Sequence, residues 1–281
     1  MPIKIYNPTT SSQRFMTGLT FEEITRDKPE KSLVIPLKRT GGRNCYGRIT
    51  SRFIGGGHKK KLRLIDFKRD KFDIPAKVSS IEYDPCRSAR IALLNYKDGE
   101  KRYVLLPKGV KVGEVLVTGE NAEPKVGNRL PLRNINIGTF VYNVEVKPQG
   151  GAKIARSAGN FVEVIAKDAG YVDIKLPSTE VRKVPETAWA SIGEVGNEEN
   201  RLINLGKAGR SRWLGIRPTV RGTAQNPVDH PYGGGEQRQG RGRRRAISVY
   251  GKPTGKGQKS RTPKKYSNKF IVSRRRVGKN K

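Results

Sequence analysis

Between residues 201 and 281 the chain carries 23 Lys or Arg and only two Asp or Glu. A segment this one-sided repels itself, and a polyanion is the simplest remedy. The same stretch holds 13 Gly and 5 Pro and loses all hydrophobic periodicity. It has too little apolar surface to offset the entropy of ordering its backbone. Taken alone, that composition describes a disordered linker. Trp213, Tyr232, Tyr250, Tyr266 and Phe270 are nevertheless interleaved with the cations. Guanidinium forks fit phosphates, rings stack on exposed bases, and glycine lets backbone approach RNA closely. A tail that orders on RNA is therefore expected over 201–281.

The rest of the chain is less extreme. Residues 1–60 carry 12 basic and 4 acidic side chains, and residues 61–200 carry 23 and 19. The formal net charge of +33 therefore sits mainly at the ends of the chain. Residues 1–60 have little periodicity and are punctuated by Gly41-Gly42 and Gly55-Gly56-Gly57. They are expected to be an extended arm, with one short strand over Ser32 to Leu37 ended by Pro36.

The middle reads as short strands. Ala76 to Asp84 alternates moderately, and Glu114 to Thr118 is another short strand. Arg90 to Tyr96 and Lys101 to Leu106 flank Asp98-Gly99, a hairpin signal. Phe161 to Ala166 and Tyr171 to Leu176 flank a second turn at Lys167 to Gly170. Phe140, Tyr142, Val144 and Val146 alternate with Val141, Asn143, Glu145 and Lys147, and period two puts each set on one face of a strand. Ala188 to Val195 closes the series, and no pattern supports a long helix. Many short strands with frequent turns favour small barrels. The expected division is an arm over 1–60, barrels over 61–128 and 129–200, and a tail over 201–281. Periodicity alone does not separate oligonucleotide-binding from SH3-like barrels.

Enzyme signatures fail on inspection. A phosphate-cradling loop needs Gly-Lys followed by Ser or Thr, but Lys207, Lys252, Lys256 and Lys279 precede Ala, Pro, Gly and Asn. Gly240-Arg241-Gly242 leads into arginines, not a dinucleotide fingerprint. Cys45 and Cys86 form no CxxC, and His58 and His230 lie far apart, so there is no sequence-evident zinc site and no metal-ligating residue is assigned. No cofactor is expected either. Two cysteines from which no disulfide can be inferred fit a reducing, cytoplasmic setting, and no run of 18 apolar residues suggests a membrane span. His230, beside Asp229 and between Pro227 and Pro231, is the one residue that invites a general-base reading. It has no accompanying nucleophile, and structural or RNA contact is the better expectation. A general nucleic-acid compactor is the other rival, and it would show little preference for folded RNA over duplex DNA.

Several motifs occur in a telling order. They are Gly42-Arg43-Asn44 with Gly47-Arg48-Ile49-Thr50, Gly55 to Lys60, Ile65-Asp66-Phe67-Lys68-Arg69, and Tyr83 to Arg90. Then come Gly150-Gly151, Arg156-Ser157-Ala158-Gly159, Gly206 to Arg210, Arg217 to Gly222 and Asn226 to Pro231. In this order the chain resembles the family of large-subunit ribosomal protein number two. It departs from the usual pattern at Tyr232, where a second His is common. The resemblance implies an all-β fold, an oligonucleotide-binding-type barrel followed by an SH3-like barrel with long basic extensions. It implies binding to large-subunit ribosomal RNA near the peptidyl transferase centre, a contact with the small subunit, and neighbouring ribosomal proteins, with no membrane partner. It marks Arg69, Arg87 and Arg156 as primary RNA contacts and His230 as the histidine near the catalytic centre. Peptide-bond formation belongs to RNA, so no catalytic residue is assigned. The full expected RNA-binding set adds Arg43, Arg48, Arg52, His58, Lys59, Lys60, Arg90, Lys207, Arg210, Arg212, Trp213, Arg217, Arg221, Asn226, Arg241 and Arg243.

Overall fold

The computed structural model describes residues 3–235, 245–255 and 261–275. Among them are seventeen short strands and a single α-helix, α1 (Ala208–Trp213). β1 (Ile3–Ile5) pairs with β2 (Thr17–Leu19), and β3 (Val34–Pro36) with β4 (Lys61–Arg63). The strand expected from Ser32 begins only at Val34, because Lys31–Leu33 form a 3-10 turn.

β5 (Ala76–Glu82), β6 (Ile91–Tyr96), β7 (Lys101–Leu105) and β8 (Val115–Leu116) form a four-stranded sheet in the order β7-β6-β5-β8. Asp98-Gly99 turns β6 into β7 as expected, and the Asp98 carboxylate accepts the Glu100 N–H at 3.2 Å. β9 (Arg129–Pro131) and β10 (Phe140–Tyr142) follow, then β11 (Val144–Glu145) paired with β12 (Ala152–Ile154). β13 (Val162–Asp168), β14 (Tyr171–Lys175), β15 (Val181–Pro185) and β16 (Trp189–Ile192) complete the central series. The last strand, β17 (Ile271–Ser273), joins the edge of the second sheet, whose order is β17-β15-β14-β13-β10-β16-β9. The fold is all-β, an oligonucleotide-binding-type barrel followed by an SH3-like barrel.

The chain divides into two compact units. The first comprises residues 1–38, 59–207 and 269–281, and the second comprises 39–58 and 208–268. Both sheets lie in the first unit and share a wall. Ile91 and Leu93 of β6 pack with residues of the second sheet such as Val141, Val164 and Ala190. Their neighbours Ala92 and Leu94 face the other way, into a core with Ala76, Val78 and Leu116. This two-sided burial is why Ile91-Ala92-Leu93-Leu94 is an unbroken apolar run.

The alternation expected from Phe140 through Lys147 does not hold as one strand. Asn143 takes a left-handed φ of 51°, which ends β10 and restarts the chain as β11. Val141, Tyr142, Val144 and Glu145 are consequently all buried. Glu145 is tolerated because it meets Arg129, itself 1% exposed, at 2.8 Å. The Arg129 guanidinium also donates to the Asn143 carbonyl at 3.0 Å, and Glu145 accepts the Gln149 N–H at 3.0 Å. Burial pushes Arg129 below the ordinary guanidinium range, while the Glu145 carboxylate opposes that shift and holds the charge.

Removing one member of a buried pair strands the other without a partner. Glu145→Ala is expected to destabilise the protein by about 3–5 kcal/mol. Replacing Arg129 and Glu145 together should cost less than the sum of the single changes. Urea denaturation of the four proteins checks both outcomes. Burial also raises the Tyr142 phenol to about 12 from its ordinary 10.0. The unfolded chain therefore releases this proton first as pH rises, so Tyr142 contributes its full stability below pH ~10 and loses it by pH ~12. Tyr142→Phe should remove roughly 2–3 kcal/mol of that alkaline loss, seen as a flatter stability curve above pH ~10.

Candidate nucleic-acid interface

The second unit is assembled from two segments 150 residues apart that share one composition. Residues 39–58 and 208–268 together contain 19 Lys or Arg against Asp229 and Glu236. Backbone bonds lock the two segments together. Gly55 N–H donates to the Gly215 carbonyl at 2.8 Å, His58 N–H to that of Trp213 at 2.9 Å, and Arg217 N–H to that of Phe53 at 2.9 Å. The approach needs glycine, since a side chain on Gly57 would put its Cβ 2.6 Å from the Gly215 nitrogen. The Arg39 guanidinium closes the same seam by donating to the His58 carbonyl. Arg39 was not among the expected residues; its position before Gly41-Gly42 gave it no motif.

On this frame the sequence-nominated residues come together. Asn44 accepts the N–H groups of Tyr46 and Arg48, each at 3.0 Å, and folds residues 43–49 into a tight loop. That loop exposes Arg43, Arg48 and Tyr46, with Arg52 following it against the Phe53 ring at 5.0 Å. α1 contributes half-buried Arg210 and Arg212 and ends on exposed Trp213. Arg217, Arg221 and Asn226 are exposed, as is His58. Arg241 and Arg243 lie outside the described residues.

His230 is placed otherwise than a general base would need. It is 9% exposed, and its imidazole lies so close to Gly222 that a Cβ there would meet the ring at 2.5 Å. Its Nδ1 accepts the Tyr232 N–H at 3.1 Å, which assigns the ring proton to Nε2 when the ring is neutral. The Tyr232 hydroxyl in turn accepts the Ile247 N–H at 2.6 Å. Tyr232, the residue that departs from the usual family pattern, thus ties the His230 loop to the segment around Ile247.

In the first unit, Phe67 organises a second cationic patch. The Arg156 guanidinium lies 4.5 Å from the Phe67 ring centre and that of Arg87 lies 5.7 Å from it. Arg87 is also held by buried Asp84 at 2.5 Å. Two arginines 69 positions apart in sequence therefore share one ring, and nothing in the local pattern around Phe67 announces this. Exposed Lys59 and half-buried Lys60 belong to the same unit, as does exposed Lys207. Arg69 and Arg90 are interior, each 3% exposed. Arg69 donates to the Gly127 carbonyl at 2.8 Å, and Arg90 lies 4.7 Å from the Phe21 ring centre. A direct phosphate contact from either would require it to leave these positions.

Within the second unit the locked segments gather cations suited to a polyanion, and within the first Arg87 and Arg156 flank Phe67. Two family models match the chain in series. Residues 30–118 match Ribosomal Proteins L2, RNA binding N-terminal domain, and residues 125–257 match Ribosomal Proteins L2, C-terminal domain. Together they span more than three quarters of the sequence. The chain belongs to the ribosomal protein L2 family and is an RNA-binding structural constituent of the large ribosomal subunit.

Proposed function

We propose that this protein clamps large-subunit ribosomal RNA around the peptidyl transferase centre, and that it supports assembly and subunit association without entering the chemistry. The observation that carries this reading is the second unit, where two glycine-rich basic segments are fixed by backbone bonds and almost no acid is present. Such a frame presents guanidiniums in fixed places, so phosphate contacts supply affinity while RNA shape and splayed bases supply specificity. The arm over 1–60 and the tail over 201–281 are the RNA-facing extensions of barrels at 61–128 and 129–200. Arg87 and Arg156 contact phosphate beside Phe67, and Arg69 and Arg90 support that surface from below. The small subunit and neighbouring ribosomal proteins complete the setting, in a cytoplasmic or organellar ribosome.

Each cation that neutralises a phosphate contributes about 0.9 to the slope of log affinity against log salt. Replacing Arg43, Arg48 and Arg52 with Gln should therefore flatten that slope by about two to three in filter binding to large-subunit ribosomal RNA. An unchanged slope would show that the 43–52 loop does not meet phosphate.

The burial of His230 separates position from proton transfer. His230→Gln keeps an acceptor for the Tyr232 N–H, and ribosomes carrying it should form peptide bonds at a near-normal rate and with a normal pH profile. Gly222→Ala leaves the imidazole intact but displaces it, and should impair assembly. If His230→Gln ribosomes assemble fully yet lose about 10²-fold or more in bond formation, while Gly222→Ala ribosomes behave normally, His230 acts as a base instead.

A further inference from the structure

One groove in the first unit has the wrong chemistry for RNA. Its cavity of about 530 Å³ is floored by Ile81, Leu106, Pro107 and Val110, all buried. Val112 also lines it and is 45% exposed. That volume falls within the ~300–1,000 Å³ usual for ligand pockets. Thr25 ties the N-terminal arm to β5 at this place. Its N–H donates to the Ile81 carbonyl at 3.0 Å, and its hydroxyl accepts the Ile81 N–H at 2.9 Å.

The polar lining runs against the charge of the chain. Glu23, Glu198 and Glu199 line the groove with Lys108 and Lys111. Lys108 is already taken by Glu198 at 2.7 Å, and Glu194 and Glu199 act on it from further off. Arg90, which acts on Glu23, is 3% exposed and so is withdrawn from any ligand. Residues 191–200 carry three Glu and no Lys or Arg, in a chain of net charge +33. A phosphodiester meets like charge here, which an interface avoids.

The acids are also held in place. Asn197 has φ of 63°, a left-handed conformation that asparagine tolerates, and its amide donates to the Ser88 carbonyl at 2.6 Å. The next residue, Glu198, presses on Gly159, where a Cβ would come within 2.9 Å of the Glu198 Cα. Carboxylates presented from a fixed turn spare a ligand the cost of ordering them.

We infer that this groove is a protein-docking site, which takes an extended Lys- or Arg-bearing segment of another protein with its apolar side chains on the floor and its cations against Glu23 and Glu199. Successive side chains of an extended segment point to opposite faces, so one face can be apolar and the other basic. Charge decides the occupant, because an acidic or neutral segment would leave the glutamates unanswered. Basic extensions of the required kind exist in this chain itself, where residues 201–281 mix 23 cations with Trp, Tyr and Phe. The inference goes beyond RNA clamping, since the acids that attract this partner turn RNA away.

The test uses the full chain free of RNA and a short dye-labelled peptide that alternates Lys with Leu, followed by fluorescence anisotropy across a salt series. A protein of net charge +33 repels such a peptide everywhere except at a local cluster of acid. The peptide should nevertheless bind, and binding should weaken as salt rises. Glu23→Gln combined with Glu199→Gln should weaken it about three- to tenfold. Val112→Ser should do the same by removing apolar surface, and so should a peptide with Ser in place of Leu. Both protein variants should melt at the unmodified protein's temperature, as surface changes do. A photocrosslinking amino acid at Val112 in purified large subunits should attach to a Lys- or Arg-rich segment of another protein. A peptide that does not bind, or that binds both variants as well as the unmodified protein, overturns the proposal. A crosslink to RNA, to an acidic segment or to nothing overturns it too, and none of these results bears on the RNA clamp.

Discussion

The contact between Arg129 and Glu145 is the joint on which the barrel pair depends. Arg129 begins the first strand of the second sheet, and its backbone also bonds to Val117 and Gly119 at the end of the first. Its guanidinium reaches across to the chain break at Asn143, and Glu145 accepts the Gln149 and Trp189 N–H groups on the far side. Neither charge could sit there alone, because an unpaired ion in so dry a place costs several kcal/mol or more. Together they satisfy backbone groups that the kink at Asn143 would otherwise leave open.

Charge is handled differently in the two units. In the first, acids are spent on holding cations in place. Asp66, Asp70 and Glu100 converge on Arg102, Asp84 fixes Arg87, and Glu30 meets Arg26 and Lys101. Between residues 61 and 200 the 23 basic side chains are nearly matched by 19 acidic ones. The second unit has almost no acid to spend, and its cohesion comes from backbone bonds and from glycines that let two segments touch. Its positive field is left for an external anion, which suits a protein whose partner carries one negative charge at every phosphate.

Local patterns in the sequence were enough for the hairpins. Asp98-Gly99 and Lys167 to Gly170 mark turns whose strands match the structure closely. Composition singled out residues 1–60 and 201–281 as basic extensions, whereas the second unit draws on only 39–58 and 208–268 of them. The long-range events left no local trace. The pairing of β17 with β15 spans some ninety residues, and the meeting of Gly57 with Gly215 spans more. The burial of Arg69, Arg90 and His230 was equally hidden. The two arginines lie in motifs that read as exposed and basic and His230 in a proline-framed loop, while each side chain is claimed by a neighbour: Gly127, Phe21 or Gly222.

The two-sided strand β6 has a consequence for how the chain is made. Ala92 and Leu94 find their core among residues 76–116, which emerge from the synthesising ribosome early. Ile91 and Leu93, on the same strand, need partners as distant as Val195. Until those arrive, the young barrel carries a bare apolar face. At about 5–20 residues per second, the hundred or so residues in between take on the order of 5–20 s to appear. During that interval the exposed side of β6 is a target for a chaperone and a hazard for aggregation, and the second barrel acts as the shield that ends it.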